Sequence, residues 1–289
     1  MIRWAGSFPI FAKEAKGAHF TDVDGHDYID FCLGDTGAMT GHAPDATVKA
    51  ITEQIQKGIT LMLPYEDVIW VGEELQRRFK LPYWQFALTA TDANRFALRM
   101  ARLITGRPKI LVFNYCYHGS VDETFITLDE EGTSMPRANN MGPQIDPRET
   151  SKVIEFNDIA ALETVLSARD VAAVLAEPAM TNIGIIHPNP GYHDALRELT
   201  RKYGTYLIID ETHTICAGPG GYTASHGLQP DFLTLGKPLA GGVPAAIYGF
   251  TEEVSQAFNA KLSLEDSDVG GIGGTLSGNA LSIAAMKAK

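Results

Sequence analysis

Four short segments carry residue types that can bind and activate a ligand, and each follows an apolar stretch. They are Thr89-Ala90-Thr91, Cys116-Tyr117-His118-Gly119, Asp210-Glu211-Thr212-His213 and Gly236-Lys237-Pro238. Hydroxyl groups and free backbone N–H groups at the start of a helix can bind a phosphate. A tyrosine can stack on a flat ring. A buried carboxylate can pair with a protonated ring nitrogen, and a lysine amine can attack a carbonyl carbon.

Each segment taken alone also has a simpler explanation. Thr91 can be an ordinary helix N-cap, and Asp210 can cap another helix. Tyr117 and His118 can be packing and hydrogen-bonded structural residues, and Lys237 can be a loop lysine. A Walker-type phosphate loop fits poorly, because GxxxxGK[ST] is absent and a proline follows the lysine.

The order of the four segments is more specific than any one of them. A phosphate-binding helix start, an aromatic residue, an aspartate and a lysine follow successive predicted strands. Together they suit a planar, phosphorylated heterocycle with an aldehyde and a basic nitrogen. Pyridoxal phosphate has these properties, and a carboxylate that keeps its ring nitrogen protonated lets the ring act as an electron sink. The sequence therefore predicts pyridoxal phosphate as the cofactor.

The elements that must position these residues alternate between helices and apolar strands from about residue 85. A helix is predicted over 92–104, where Ala97, Met100, Ala101 and Ile104 form an apolar stripe. A second helix is predicted over 193–203. Apolar runs predict strands at 110–113, 171–175, 206–209 and 232–235. This alternation predicts an α/β fold with a mostly parallel sheet flanked by helices, in which ligands bind beyond the carboxyl ends of the strands.

The rest of the chain shows weaker patterns. Segment 17–33 is predicted to form a hairpin around the turn Asp24-Gly25, and residues 45–57 to form a helix. Segment 129–150 is rich in Gly, Pro, Asn and charged residues, which predicts a long surface loop.

Composition, net charge and cysteine spacing disfavour several classes of function. The 289 residues are 45% hydrophobic and carry a net charge of -11, which disfavours binding to nucleic acid and anionic membranes. Three cysteines without CxxC spacing disfavour a zinc site and a disulfide framework, and are typical of the cytoplasm. The sequence has neither a signal peptide at its start nor an apolar run of membrane-spanning length. We therefore expect a cytoplasmic protein with no metal site.

The sequence resembles the class III (fold type I) aminotransferases, within them most closely the group that contains glutamate-1-semialdehyde aminomutase. The matching stretches cover essentially the whole chain in the family's order. They are 21–31, 41–44, 105–110, 117–119, Glu177-Pro178, Asp210-Glu211, 236–238 and 274–279.

The resemblance implies roles for individual residues. Lys237 becomes the Schiff-base lysine and the general acid and base, Asp210 pairs with the pyridine nitrogen, and Tyr117 stacks on the ring. Thr275 reaches the phosphate of a neighbouring subunit, which implies a homodimer with shared active sites. The implied cofactor-binding residues are Thr89, Ala90, Thr91, Tyr117, His118, Glu177, Asn182, Asp210, Thr212, Lys237 and Thr275.

The resemblance also implies a domain division. Residues 1–60 form an N-terminal segment that contributes to a small domain or a dimer contact, and residues 61–289 form the large cofactor-binding domain. The chain stops at Lys289, whereas family members continue for roughly a hundred residues, the size of one domain. We therefore expect the large domain to be truncated and the C-terminal small domain to be absent, as in a fragment or in half of a split protein.

Three stretches depart from the family pattern. The family's Ser-Gly-Thr-Glu-Ala phosphate segment is Thr-Ala-Thr-Asp-Ala at 89–93, and its Val-x-Thr-Gly stretch is replaced at 212–215. The aminomutase-type Ser-Trp-Gly-Pro segment is replaced at 33–38, which favours transamination of an amino compound with a keto acid or aldehyde acceptor. The alternatives are an intramolecular aminomutase and a catalytically incomplete cofactor-binding fragment. A nucleotide-binding Rossmann enzyme is disfavoured by the absence of GxGxxG after an early strand.

Overall fold

The computed structural model describes residues 9–138, 140–262 and 271–289. The strands are β1 (Ala12–Lys16), β2 (His19–Asp22), β3 (Asp27–Ile29), β4 (Tyr83–Ala87), β5 (Lys109–Phe113), β6 (Ile126–Leu128), β7 (Ser134–Pro136), β8 (Ser151–Ile154), β9 (Val171–Ala176), β10 (Tyr206–Asp210), β11 (Phe232–Leu235) and β12 (Ala246–Phe250). The helices are α1 (Asp45–Ile55), α2 (Asp67–Phe79), α3 (Ala90–Thr105), α4 (Pro147–Thr150), α5 (Ile159–Ser167), α6 (Tyr192–Tyr203), α7 (Gly221–Ser225), α8 (Glu252–Asn259) and α9 (Ala280–Ala288).

A seven-stranded sheet forms the centre of the molecule, in the order β4-β12-β11-β10-β9-β5-β8. The five strands from β11 to β8 are parallel to one another, whereas β12 and β4 are antiparallel to their neighbours. Every residue of β9 is buried, as expected for a parallel strand covered on both faces. The predicted α/β fold with a mostly parallel sheet is therefore confirmed.

The predicted helices and strands lie close to their observed positions. Helix α3 extends the predicted span at both ends, and its residues Ala93, Ala97 and Ala101 are fully buried against the sheet. It ends at Gly106, whose φ of 68° is the left-handed conformation that terminates many helices. Helix α6 ends in the same way at Gly204.

The predicted hairpin is confirmed, with β2 and β3 antiparallel around the turn at Asp24-Gly25. A further strand, β1, pairs with β2 and was not predicted, because its sequence Ala-Lys-Glu-Ala-Lys has none of the residues that favour strands. The prediction of one long loop over 129–150 is wrong in part. Strand β7 lies within it and pairs with β6, and α4 closes it. Asp129 initiates the β6–β7 turn by accepting a hydrogen bond from Thr133 N at 2.7 Å.

The sheet topology brings the functional segments to one edge. Asp210 is the last residue of β10 and pairs with Thr234 of the neighbouring β11, so the segments that follow these strands lie side by side. The start of α3 and the segment after β5 face the same edge, since α3 packs across β9, β11 and β12. In the part of the chain that the structure describes, no helix is both long enough and apolar enough to cross a membrane.

Candidate active site

A cavity of about 530 Å³ lies at this edge of the sheet. Eight of the eleven predicted cofactor-binding residues line it, namely Thr89, Ala90, Thr91, Tyr117, His118, Asp210, Thr212 and Lys237. Glycine-rich backbone from 34–42 and from 241–245 forms the remaining wall. The structure thus gathers residues from five separate parts of the sequence around one space.

Asp210 is held by three hydrogen bonds at the floor of this cavity. Its Oδ2 accepts from Asn94 Nδ2 and is bonded to His118 Nδ1, both at 2.9 Å, and its Oδ1 accepts from Thr212 N at 3.0 Å. Asn94 is fixed in turn, because its Oδ1 accepts a hydrogen bond from Thr234 Oγ1 at 2.6 Å. These bonds fix the direction of the carboxylate. Asp210 is not the helix cap considered above, because the next helical turn begins at Thr214 and has His213 at its N-cap position.

Burial and pairing oppose each other at Asp210 and His118, which are both nearly inaccessible to solvent. Burial raises the pKa of Asp210, but the hydrogen bond and the charge of His118 lower the pKa to below its ordinary value. Burial lowers the pKa of His118, and its contacts with Cys116 and Asp210 overcome this and raise the pKa. The pair is therefore ionised, and Asp210 presents a negative charge to the cavity.

Lys237 also lines this cavity, from the start of a 3₁₀ turn that follows β11 after Gly236. Its backbone φ is 35°, in the region that side chains other than glycine rarely adopt. The amine lies 3.0 Å from His213 Nε2 and 3.3 Å from Asp35 Oδ2, and a quarter of the side chain is exposed. The preceding Gly236 has no room for a side chain, since a Cβ there would lie 2.9 Å from Ala90 Cβ.

The start of α3 forms the polar end of the cavity. Thr89 is the N-cap, because its Oγ1 accepts a hydrogen bond from Asp92 N at 3.1 Å; the simpler interpretation that placed the cap at Thr91 is wrong. Thr91 Oγ1 instead accepts from Ser120 N at 3.0 Å. Gly119 fits closely against Thr91, and a Cβ at Gly119 would lie 2.0 Å from Thr91 Oγ1. The first N–H groups of a helix are suited to bind an anion.

The donor set fits a phosphorylated pyridine ring. Thr212 Oγ1 is buried, lines the cavity and has no hydrogen-bond partner among the described residues, so a ligand atom can supply one. Tyr117 lines the cavity with its side chain nearly half exposed, as is needed to stack on a ring. The helix start, the charged Asp210 and the Lys237 amine offer partners for a phosphate, a ring nitrogen and an aldehyde.

Three of the predicted residues do not line the cavity. Glu177 is buried, accepts a hydrogen bond from Thr181 Oγ1, and has a pKa raised by burial. Asn182 is exposed and donates from Nδ2 to the Tyr115 carbonyl at 3.0 Å. Thr275 is exposed in a turn before α9. The structure does not bring these three side chains to the cavity within this chain.

Sequence reasoning missed Asn94 and the role of segment 34–38 as cavity wall. Asn94 had a signal: it lies three residues before Ala97, on the apolar stripe of α3, and a polar residue there needs a buried partner. His213 was noticed only as a departure from a pattern, and its contact with Lys237 depends on tertiary structure. Asp35 had no signal in the sequence. Its side chain is four-fifths exposed, and an exposed aspartate in a loop needs no special partner.

This fold and this cavity define a protein of the α/β class whose cavity is lined by both a lysine and an aspartate side chain. The family model for class III aminotransferases matches residues 1–289, and the chain belongs to that family of pyridoxal-phosphate-dependent enzymes. The family predicted from the sequence motifs is thereby confirmed, and so is the cofactor at the level of the family.

Three known proteins illustrate the similarity. The glutamate-1-semialdehyde 2,1-aminomutase of Methanocella arvoryzae is 34% identical over 98% of this chain and 66% of its own length. A crystal structure of a glutamate-1-semialdehyde aminomutase from Pseudomonas aeruginosa PAO1 has a TM-score of 0.95 and 52% identity, over 99% of this chain and 64% of that one. An omega-transaminase from Sphaerobacter thermophilus has a TM-score of 0.89 and 29% identity, over 99% of this chain and 66% of the transaminase chain. The chain thus spans about two thirds of the length of its relatives.

Proposed function

We propose that the chain contains the cofactor site of an enzyme that transfers an amino group from an amino compound to a keto acid or aldehyde. One observation carries the proposal: the Lys237 amine and the Asp210 carboxylate face a single cavity of about 530 Å³. A second structure of the similar aminomutase from Pseudomonas aeruginosa is described in complex with PMP, which supports a cofactor of this type.

Each group of the cavity has a distinct task in this proposal. Bound pyridoxal phosphate supplies an electron sink for chemistry at the carbon that carries the amino group. The first N–H groups of α3, at Ala90 and Thr91, hold the phosphate. Asp210 would pair with the ring nitrogen and keep it protonated, because the hydrogen bond and the charge of His118 lower the pKa of this carboxyl. Lys237 Nζ holds the cofactor and then moves a proton as general base and acid.

A second candidate is an intramolecular aminomutase, which would need no external acceptor. The similarity to glutamate-1-semialdehyde aminomutases favours it. The segment at 33–38 favours transamination, because it lacks the aminomutase-type Ser-Trp-Gly-Pro sequence and its residues Gly34, Gly37 and Ala38 line the cavity.

The absorption spectrum of the purified chain with pyridoxal phosphate tests the proposal. We expect a visible band that is lost in Lys237→Ala and kept in Lys202→Ala, whose amine pairs with Glu163 at the surface. Adding an amino donor should convert the band, and an external keto acid should restore it. Restoration without any acceptor would favour the aminomutase. A band in the wild type that no donor converts would indicate a cofactor-binding chain without catalysis.

We also propose a homodimer with shared active sites in the cytoplasm, and a division of the chain near residue 60. Large apolar side chains lie on the surface of the N-terminal part, among them Phe31, Met62 and Leu63, which are 71–89% exposed. Such exposure is typical of a surface that another subunit covers. Thr275, exposed in this chain, would then complete the neighbouring site. Light scattering of the purified chain tests the assembly, and a monomer at all concentrations would contradict it.

A further inference from the structure

Two departures from the family pattern meet at the Lys237 amine. Segment 33–38 and the stretch 212–215 lie far apart in the sequence, yet Thr36 Oγ1 is 3.3 Å from His213 Nδ1, across 177 positions. The other ring nitrogen, His213 Nε2, is 3.0 Å from Lys237 Nζ. Residues from both stretches therefore form one connected group around the reactive amine.

The hydrogen bonds of this group fix the tautomer of His213. The hydroxyl of Thr36 donates its hydrogen to the Asp35 carbonyl at 2.7 Å, so its oxygen is left to accept. The hydrogen between Thr36 and His213 must then come from Nδ1. His213 Nε2 consequently carries the lone pair, and it points at the Lys237 Nζ, which in its protonated form can only donate. The histidine is oriented as an acceptor for Lys237, in the way that a partner on one ring nitrogen sets the role of the other.

The backbone that presents Thr36 is strained and held in place. Residues Leu33, Gly34, Asp35 and Thr36 all have φ between 54° and 64°. Left-handed backbone is unfavourable for residues other than glycine, so it persists only where other contacts enforce it. Asp30 provides them, because its Oδ2 accepts hydrogen bonds from Gly34 N at 2.8 Å and pairs with His42. An enforced strained turn is typical of a functional position.

We propose that His213 is a positioning residue and proton acceptor for Lys237, oriented by Thr36. The inference deepens the proposed function and rests on it, since it concerns the step in which Lys237 becomes a nucleophile. A protonated amine cannot attack a carbonyl carbon. In the transfer, the Nζ–H bond breaks, its electron pair stays on Nζ, and the proton forms a bond to His213 Nε2. The products are a neutral amine and an imidazolium.

The charges around His213 are compatible with this role. Burial lowers the pKa of His213, and the positive charges of Lys237 and His118 lower it further. The carboxylates of Asp210 and Asp35 act in the opposite direction. The net effect is a pKa below the ordinary 6.5, so the imidazole is neutral and able to accept a proton at neutral pH.

The test follows the capture of pyridoxal phosphate by cofactor-free chain, measured as the rate at which the visible band appears across pH 5 to 9. In the wild type we expect a loss of rate as the pH falls through the lowered pKa of His213. His213→Gln keeps a hydrogen-bonding side chain without a titrating nitrogen. This variant should capture the cofactor on the order of 100-fold more slowly, which is within the rate effect expected of a positioned general base. Its rate should not fall in the pH interval where the wild-type rate falls.

Matched variants separate this role from a merely structural one. Thr36→Val removes the acceptor for Nδ1 and should slow capture, and Thr36→Ser should restore the wild-type rate. His19→Gln, at an exposed position of β2, should have the wild-type pH profile. As a check that needs no cofactor, NMR titration should give a higher pKa for His213 in Lys237→Met and a lower one in Asp35→Asn.

Two outcomes are distinguishable. If the wild type captures the cofactor and His213→Gln has the same rate and pH profile, the role of His213 is wrong and the proposed function stands. If the wild type gives no visible band and borohydride links no cofactor to Lys237, the proposed function fails and this inference fails with it. An unchanged NMR titration of His213 in Lys237→Met would also contradict the inference, because the two groups would then be uncoupled.

Discussion

Replacing Asp210 by asparagine keeps the shape of the side chain and removes its charge. The carboxylate receives donors at both oxygens: Asn94 and His118 at Oδ2, and Thr212 N at Oδ1. Asparagine offers only one acceptor oxygen, so its NH₂ group must face a donor at one of these two positions. The variant therefore loses both a charge and part of a buried hydrogen-bond network.

The magnitude of the effect follows from these contacts. Removing one partner of a buried ion pair typically costs about 3–5 kcal/mol of stability, because His118 is left without its carboxylate. At the cofactor, a hydrogen bond to a charged group contributes about 1.5–3 kcal/mol. Since about 1.36 kcal/mol corresponds to a factor of ten in rate, amino-group exchange should slow by roughly 10- to 150-fold.

Stopped-flow absorbance after addition of an amino donor measures the exchange, and urea unfolding measures the stability. Asp231→Asn is a matched control. It also loses a partly buried ion pair, to Arg197 Nη1 at 2.8 Å, but does not line the cavity. We expect the control to be destabilised and to exchange at the wild-type rate. A folded, cofactor-loaded Asp210→Asn variant with the wild-type rate would refute the pairing of Asp210 with the ring nitrogen.

Three further predictions concern the phosphate end, the subunit contact and pH. Gly119→Ala should weaken pyridoxal phosphate binding at least tenfold in equilibrium titration, because its Cβ would collide with Thr91; Gly191→Ala, with a similar φ and open space, should bind normally. Equal affinities would contradict the close fit. Thr275→Ala should speed the loss of cofactor during dialysis of the dimer, and unchanged retention would remove the proposed contact with the neighbouring subunit. Hydrogen bonds from His26 and Tyr28 overcome the effect of burial and lower the pKa of Asp22 from 3.8 to about 2, so its contribution to stability should be present above pH 4 and be lost as the pH falls towards 2. Acid unfolding followed by circular dichroism should show a smaller loss over that interval in Asp22→Asn, and identical curves would exclude this contribution.

Much of the fold could be predicted from the sequence, because the apolar patterns that indicate its strands and helices involve neighbouring residues. The apolar runs at β5, β9, β10 and β11 and the stripe of α3 each depend on neighbouring residues, and they predicted four of the five parallel strands, all except β8. Strands β4 and β12 were missed, although β12 is wholly buried. A short apolar strand has no period that distinguishes it from a buried helix, and the antiparallel pairing of β12 with β4 joins positions more than 150 residues apart.

The sequence by itself determined the chemical types present: a helix start that can bind phosphate, an aspartate after one strand and a lysine after the next. Their convergence followed from a general rule, that parallel strands end at the same edge of a sheet. Tertiary structure alone decided the partners of those groups. It set Asn94 and His118 against Asp210, and it brought a strained turn near the N-terminus onto His213. Such contacts between distant positions depend on packing in three dimensions. They produce no periodic pattern of residue types from which they could be predicted.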